Sequence, residues 1–513
     1  MFSLINRIGG EMKANLKQLS GRIKNSLILL LIAVLGLMLA GRATAQTFTT
    51  LYNFTALVDY NNSDGAVPEA GVILSGNTLY GTAYYGGSSG NGTVFALNTN
   101  GTGFTNLYSF TGGSDGASPQ AVLILSGNTL YGTASSGGSS GNGTVFAVNT
   151  NSTDFTNLYS FTAYPSGYIT NSDGAYPYGG LILSGNTLYG TAEGGGSSGN
   201  GTVFRVNTNG MDFTNLCSFT ATTGSEGYFG RGTNSDGANP IDSLILSGTT
   251  LYGTTQEGGS GGNGTVFAVN TDGTGFTNLH SFAAYPPGYY TNSDGVVPAA
   301  GLILSGNTLY GTAEFGGSLG NGTVFALNTN GTGFTNLHNF TGGSDGDDPA
   351  AGLLLSGNTL YGTAQFGGSL GWGTVFAVNT NGTDFTTLYS FTAISGTNGI
   401  FGFGTNSDGA GPQAVLILSG NTLYGTAAYG GSSGNGTVFS LFIPPQLTIV
   451  RSGTNVMLTW PTNYAGFTLE FATNLVSPTV WKTNSTAPVV VNGQNTMTNP
   501  ISGTQTFFRL VYP

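Results

Sequence analysis

The sequence predicts an all-β protein: a seven-bladed β-propeller closed by its own N-terminal strand, followed by a small β-sandwich-like C-terminal domain. Three observations predict it. An LYGT core recurs seven times, its tyrosine at Tyr80, Tyr131, Tyr189, Tyr252, Tyr310, Tyr361 and Tyr424, so successive copies lie 51, 58, 63, 58, 51 and 63 residues apart. Each copy sits among four short β-type runs separated by Gly, Asn and Ser, and Gly-rich β repeats of this period mark propellers or solenoids. The runs at the two ends of the array are complementary, one at the start and three at the finish.

Residues 1–45 read as an export signal. Arg7, Lys13, Lys17, Arg22 and Lys24 make a basic region, Ser26 to Ala40 an apolar run, and Ala43-Thr44-Ala45 a small-residue cleavage site. An uncleaved single-span anchor is the alternative, for which the run is short. No cysteine follows the site, against a lipoprotein. Removing the segment takes away six basic residues and one acidic, leaving 5 Lys plus Arg against 21 Asp plus Glu, or −16. Nucleic-acid binding needs the opposite sign and is set aside. Cys217 is the only cysteine, so no internal disulfide forms and stability must come from packing.

Residues 46–443 hold the repeat. Within one unit the runs are LILSG, NTLYGTA, GTVFALN and FTNLYSF, joined in turn by an SGN turn, a GGSSGNG-type loop and an NTNGTG turn. Asn-Gly and Gly-Asn pairs supply the positive φ angles of tight hairpins. Four antiparallel strands per unit make a propeller blade. The mature chain opens on Thr47–Thr55, which matches a fourth strand, and the last unit stops after its third, Gly436–Ile443. Pairing the two completes a blade and removes the open edge of a linear array.

Strand alternation puts the fourth-to-first and second-to-third connections on one face. All length variation falls there. Three residues separate the strand end from the next SDG aspartate after Thr111 and Thr341, ten after Thr162 and Ala283, fifteen after Thr220 and Thr392. Loops free to vary on a fixed scaffold are where binding evolves.

The ordered pattern LYGT…GG…GTVF…LYSF resembles the GloVer (Gloeobacter/Verrucomicrobia) tandem repeat over residues 47 to 443. The resemblance implies an exported bacterial β-propeller of secreted or surface location. It carries no catalytic residues. From residue 444 the composition changes after Pro444-Pro445. The runs LTIVRSG, NVMLTWP, GFTLEFAT, PVVVNG and TFFRLVYP predict a small β-sandwich or attachment module over 444–513 that faintly resembles a truncated fibronectin type III module. No apolar span with a basic tail follows, so no transmembrane anchor is expected after signal cleavage.

Few residues suggest chemistry. His280 and His338 stand where other blades have Tyr52, Tyr108, Tyr159 and Tyr389 and the third has Cys217; that position is on an outermost strand, so they read as structural. With two histidines and one cysteine, Ser-His-Asp, Cys-His and zinc sites are excluded. The SDG aspartates Asp64, Asp115, Asp173, Asp236, Asp294, Asp345 and Asp408 each read as capping their own turn. Their sharper reading is a carboxylate ring holding Ca²⁺ at the channel mouth; no other cofactor is expected.

Asymmetry appears beside the second-to-third loops. The residue before the GG pair is Tyr85, Phe315, Phe366 and Tyr429 in four contiguous blades, and Trp372 replaces an Asn in one loop. The longer loops of that face add Tyr164, Tyr168, Tyr228, Phe229, Tyr285, Tyr289, Tyr290, Phe401 and Phe403. Exposed aromatics suit stacking on sugars or anchoring a protein. The arc Tyr85, Phe315, Phe366, Trp372 and Tyr429 is therefore the expected ligand site, for a glycan first and a surface protein second. The alternatives are a polysaccharide-acting hydrolase or lyase using Glu193, Glu257 or Glu314, and a purely structural surface protein whose aromatics pack their own loops.

Overall fold

The computed structural model describes residues 46–513, apart from Glu226, Arg231, Pro287, 398–401, Phe403, Gln446, 462–466, 476–478, 492–493, 502–504 and 512–513. The expected export signal, 1–45, and the loop aromatics Phe401 and Phe403 lie outside the described residues. The described elements are all strands. The chain divides into two compact units, one spanning Phe48–Phe442 and one that takes the C-terminal residues from Ile443.

The larger unit contains, among the described residues, seven four-stranded sheets, each one blade. The first runs Ile73–Ser75, Thr78–Ala83, Thr93–Asn98 and Thr105–Ser109, and its neighbours repeat that antiparallel order. The last joins Ile417–Ser419, Thr422–Ala427 and Thr437–Phe442 to Thr47–Asn53 from the other end of the array. Past the seam, Phe54 N donates to Gly436 O at 3.1 Å and Ser432 N to Asn53 Oδ1 at 2.9 Å.

Each blade is short and packed on both faces. The second and third strands are buried along nearly their whole length, as in Thr308–Ala313 and Thr323–Asn328, while the outermost strand is half-buried. The apolar core therefore lies between blades. Tyr310, Val324 and Phe340 of the fifth blade close on Leu353, Leu360 and Phe376 of the sixth. The glycine of LYGT makes room for it: a Cβ on Gly311 would stand 2.6 Å from Phe325 Cζ and 2.8 Å from Leu302 Cδ2.

The threonine of LYGT then ties each blade to the next. Its hydroxyl donates to a carbonyl at the head of the neighbouring inner strand: Thr82 to Ala121, Thr133 to Gly179, Thr191 to Asp242, Thr254 to Ala300, Thr312 to Ala351, Thr363 to Ala414, and Thr426 back to Ala70. These bonds are 2.8–3.2 Å long and the circuit closes on itself.

The SDG aspartates lock the outer side. Asp64 accepts from Thr55 N at 2.9 Å, Thr55 Oγ1 at 2.5 Å and the Tyr52 hydroxyl at 2.8 Å. Its own carbonyl accepts from Thr93 Oγ1 of the following blade at 3.0 Å. The next residue must be glycine: at Gly65, φ +108°, a Cβ would meet Thr93 Oγ1 at 2.5 Å. This explains the tyrosine, histidine or cysteine position of the outermost strand. Tyr108, Tyr159 and Tyr389 also donate to their aspartates, and the Nε2 atoms of His280 and His338 lie 2.9 and 3.1 Å from Asp294 and Asp345. Each ring also stacks on a phenylalanine of the adjacent blade, with centroids 3.6–4.0 Å apart: Tyr52 on Phe104, Tyr108 on Phe155, Tyr159 on Phe213, His280 on Phe334, His338 on Phe385 and Tyr389 on Phe48.

The smaller unit has two sheets. One orders Thr448–Ser452, Asn455–Pro461, Gln494–Pro500 and Val489–Val491; the other orders Lys482–Thr483, Thr468–Ala472 and Phe507–Val511. They share a core of Leu458, Trp460, Leu469, Met497 and Leu510. Arg509 pairs with Glu470 at 2.7 Å and lies 4.2 Å over the Trp481 ring.

Blade three is the weak link of the outer lock. Cys217 gives Asp236 no ring donor, and burial together with that carboxylate pushes its thiol up to about 12. Phe276, opposite, stacks on Phe267 and meets Phe219 edge-on but lacks the close tyrosine or histidine ring that its counterparts carry. Cys217→Tyr should raise stability by about 1–2 kcal/mol by supplying one hydrogen bond and one stacked pair. Tyr108→Phe should cost about 1 kcal/mol. Denaturant midpoints measure both, and an unchanged Cys217→Tyr midpoint would mean that the third blade has closed the gap by other contacts.

Candidate functional site

The seven inner strands enclose a cavity of about 590 Å³ to which every blade contributes. Two positions per repeat build most of its polar wall. The first follows the proline that leads into the inner strand: Glu69, Gln120, Tyr178, Ile241, Ala299, Ala350 and Gln413. The second follows the end of LYGTA, and Glu193, Gln256, Glu314 and Gln365 reach the wall from it. Asp242 adds a carboxylate where other repeats have Ala or Gly. The proline before the first position and, Asp242 apart, the Ala or Gly after it are held from repeat to repeat; the wall positions vary, as do the residue before the proline and the arc residue after the second position.

The wall is a network of amides and carboxylates. Gln365 Nε2 donates to Gln413 Oε1 at 2.8 Å, and the Gln413 amide hydrogen-bonds Glu69, linking blades six, seven and one. Asp242 Oδ1 accepts from Ser243 N at 2.5 Å and Oδ2 from Gly301 N of the next blade at 2.6 Å. These side chains touch channel solvent and are half-buried by accessible surface, yet protein surrounds them on nearly every side. Desolvation therefore governs their charge. Burial raises Glu69 to about 7 against the opposing Gln413 bond, and raises Glu314 to about 7. It also raises Asp242, against the Ser243 and Gly301 N–H groups. At the rim, burial and the neighbouring Asp347 and Glu314 carboxylates raise Asp348.

The expected aromatic arc sits one residue further on. In the fifth and sixth blades the channel residue and the arc residue are consecutive, Glu314-Phe315 and Gln365-Phe366, and neighbours in an extended segment point to opposite sides. The arc backbone pairs with the residue after SDG: Ala66 with Tyr85, Val296 with Phe315, Asp347 with Phe366, Ala410 with Tyr429. All five arc side chains, Trp372 included, are half-buried, and none lines the cavity. Tyr85 and Tyr429 pack around Ala66, Val67 and Ala428, and Phe315 stacks on Tyr228 at 4.7 Å. Of the three candidate carboxylates, Glu193 and Glu314 reach the channel. Glu257, at the arc position of its blade, is buried outside the lining.

The SDG carboxylates are spent on their own turns and on the outer strands. Among the described residues no group of three His, Cys, Asp or Glu side chains converges in a way that could hold a metal ion. Sequence reasoning missed Glu69, Asp242 and the four glutamines. The signal was available: aligned repeats differ at the residue after the proline and the residue after LYGTA.

The variable face is also the apolar one. Tyr60, Tyr168, Phe229, Tyr289 and Tyr290 are exposed on its long loops, and Leu319 and Leu370 on its second-to-third loops. Met211 is the large exposed apolar residue on the opposite turns of the ring, among the described residues.

The raised carboxylates set a pH dependence. A folded pKa near 7 against the ordinary 4.5 means that Glu69 and Glu314 hold their protons longer in the folded chain. Their contribution is full below about 4.5 and is lost as pH rises through 7. His338 acts the other way, since burial lowers it from 6.5 and its contribution fades on acidification. The two are separated by variants. Glu69→Gln with Glu314→Gln should raise the melting temperature at pH 8 and leave it nearly unchanged at pH 4.5; equal shifts at both pH values would refute the assignment.

No curated protein matches the chain. Among solved structures it is similar to an oligogalacturonate lyase from Vibrio parahaemolyticus, with 10% identity, 78% of this chain and 98% of that one covered, and a TM-score of 0.43. It is also similar to an oligogalacturonate lyase in complex with manganese, with 11% identity, 79% and 98% covered, and a TM-score of 0.42. Likeness at this level carries no argument about activity. Among the described residues no helix is long and apolar enough to cross a membrane. The Gloeobacter/Verrucomicrobia repeat matches residues 40–231 and 287–403, more than half of the chain. With blades of this sequence pattern, the chain belongs to the Gloeobacter/Verrucomicrobia repeat family.

Proposed function

We propose that this is a secreted or surface-exposed binding protein that takes a glycan at the channel mouth of the variable face and does no chemistry on it. One observation carries the reading: all seven blades send residues to one shared cavity, and the polar side chains they present there differ from blade to blade. An asymmetric ligand requires such a wall. Carboxylates and amides accept from and donate to sugar hydroxyls, and exposed tyrosines around the mouth offer stacking faces. The arc of Tyr85, Phe315, Phe366, Trp372 and Tyr429 then supports the rim from beneath the loops.

Gln365→Ala combined with Glu193→Ala should lower retention of the full chain on a glycan array, or affinity by calorimetry, at least tenfold, with a melting temperature within a few degrees of the parent. Phe315→Ala with Phe366→Ala should give a smaller loss by loosening the rim. Undiminished retention in the channel variant would retire the site.

A second reading has a specific observation behind it. Carboxyl groups held near neutrality are suited to general acid–base work, and Glu314 at about 7 is the candidate proton donor of a polysaccharide-cleaving reaction. Release of reducing ends by the parent and its loss in Glu314→Gln would favour that enzyme; no release across a polysaccharide panel leaves the binding reading.

A further inference from the structure

We propose that the ligand of the channel face carries positive charge: a glycan bearing protonated amines, held by the channel carboxylates and by the exposed Tyr228 ring near Glu314 and Asp348. The inference rests on the glycan-binding reading above and narrows it to a class.

Three independent features point this way. The cavity wall presents Glu69, Glu193, Asp242 and Glu314 from blades one, three, four and five, and no lysine, arginine or histidine among its described lining residues. Buried carboxylates are ordinarily matched by a cation or a metal, and their desolvation is otherwise uncompensated. Here the protein partners seen for Glu69 and Asp242 are a neutral amide and backbone N–H groups. The whole repeat region offers little else: residues 46–443 contain twenty acidic residues and two basic ones, Arg205 and Arg231.

The second feature is aromatic. Tyr228 stacks on Phe315 at 4.7 Å with rings 13° apart, and Phe229 and Tyr285 meet it edge-on. Glu314 and Asp348 are close enough to act on the Tyr228 hydroxyl electrostatically. An aromatic face beside carboxylates is the chemistry that recognises ammonium groups. Third, the Tyr285 hydroxyl is enclosed next to this shelf without a hydrogen-bond partner, a polar group in want of one. The amide-lined wall favours an amino sugar over a basic peptide, because hydroxyls on a pyranose ring can use both the donors and the acceptors of Gln120, Gln256, Gln365 and Gln413.

The test uses a matched pair of probes, a glucosamine hexamer and its N-acetylated counterpart, titrated calorimetrically into the full chain at pH 6.0 and low salt. The amine hexamer should bind at least tenfold more tightly. Its binding should release protons, seen as a heat that depends on the buffer, because an ammonium group drives Glu69 and Glu314 to ionise. The preference should fall to threefold or less in Glu69→Gln with Glu314→Gln, whose melting temperature confirms folding, and in 500 mM salt. Asp348→Asn, at the rim, should lower it less. Equal affinity for the two hexamers overturns the inference and leaves the glycan-binding reading standing. So does failure of both while neutral glycans on an array are retained. Binding of an oligolysine peptide without either hexamer overturns the sugar assignment, and no retention of any glycan overturns this inference and the reading beneath it together.

Discussion

Seven threonine hydroxyls, each bonded to a carbonyl one blade further round, are the constraint on which this molecule depends. They sit at the fifth residue of a buried strand, where an unpaired hydroxyl would cost on the order of 1–3 kcal/mol. Each can be satisfied only by a neighbouring blade at a fixed angle. A circuit of such bonds has no end, so Thr426 must find Ala70 as surely as Thr82 finds Ala121. The N-terminal strand Thr47–Asn53 completes the last sheet under the same condition. Closure comes from the repeated contact, and the length of the array sets the number of blades.

The outer lock complements the inner circuit and has a different consequence. Each SDG aspartate takes its donors from the end of the preceding strand, and its carbonyl is held by the following blade. Both ends of every variable loop are thereby fixed within a few residues. What lies between can be three residues or fifteen without disturbing either blade, which is why Gly112–Ser114 and the long segment from Ala221 to Ser235 occupy equivalent places. Loop-closure entropy grows slowly with length, so the longer insertions cost little once their ends are pinned. The histidines belong to this lock. His280 and His338 do the work of tyrosine against Asp294 and Asp345, and their stacking on Phe334 and Phe385 repeats the tyrosine geometry.

The architecture was legible in the sequence because it is written seven times. The LYGT spacing, the tight-turn residues and the three-plus-one arrangement of strands at the ends each repeat a physical requirement, and repetition makes a requirement visible. The site was less legible because it is written once per blade and differently each time. Aromatic residues at Tyr85, Phe315, Phe366 and Tyr429 drew attention as large side chains in a variable place, yet strand periodicity turns them from the channel and turns Glu314 and Gln365 into it. One residue of register separates the two readings. No local rule of composition tells which of two adjacent positions faces an axis that exists only after closure. Asp242 was harder still: its neighbours in the alignment are alanine and glycine, and its carboxylate is held by Gly301 N–H, 59 residues away in the chain.

The same closure makes an acidic channel tolerable. Several carboxylates stripped of solvent in one cavity oppose folding, and in a small domain that opposition could open the structure. Here the opposing term is spread over blades one, three, four and five, whereas the interblade phenylalanine cores and the threonine circuit act at every junction. Because the ring cannot relax at one blade without breaking contacts at both neighbours, the cost is relieved chemically: Glu69 and Glu314 keep their protons near neutral pH while the backbone stays in place. A wall that answers its own charge by protonation rather than by movement is preorganised. A ligand that supplies the missing hydrogen bonds or charge finds the positions already set, and the binding free energy is not drawn down by reordering the site.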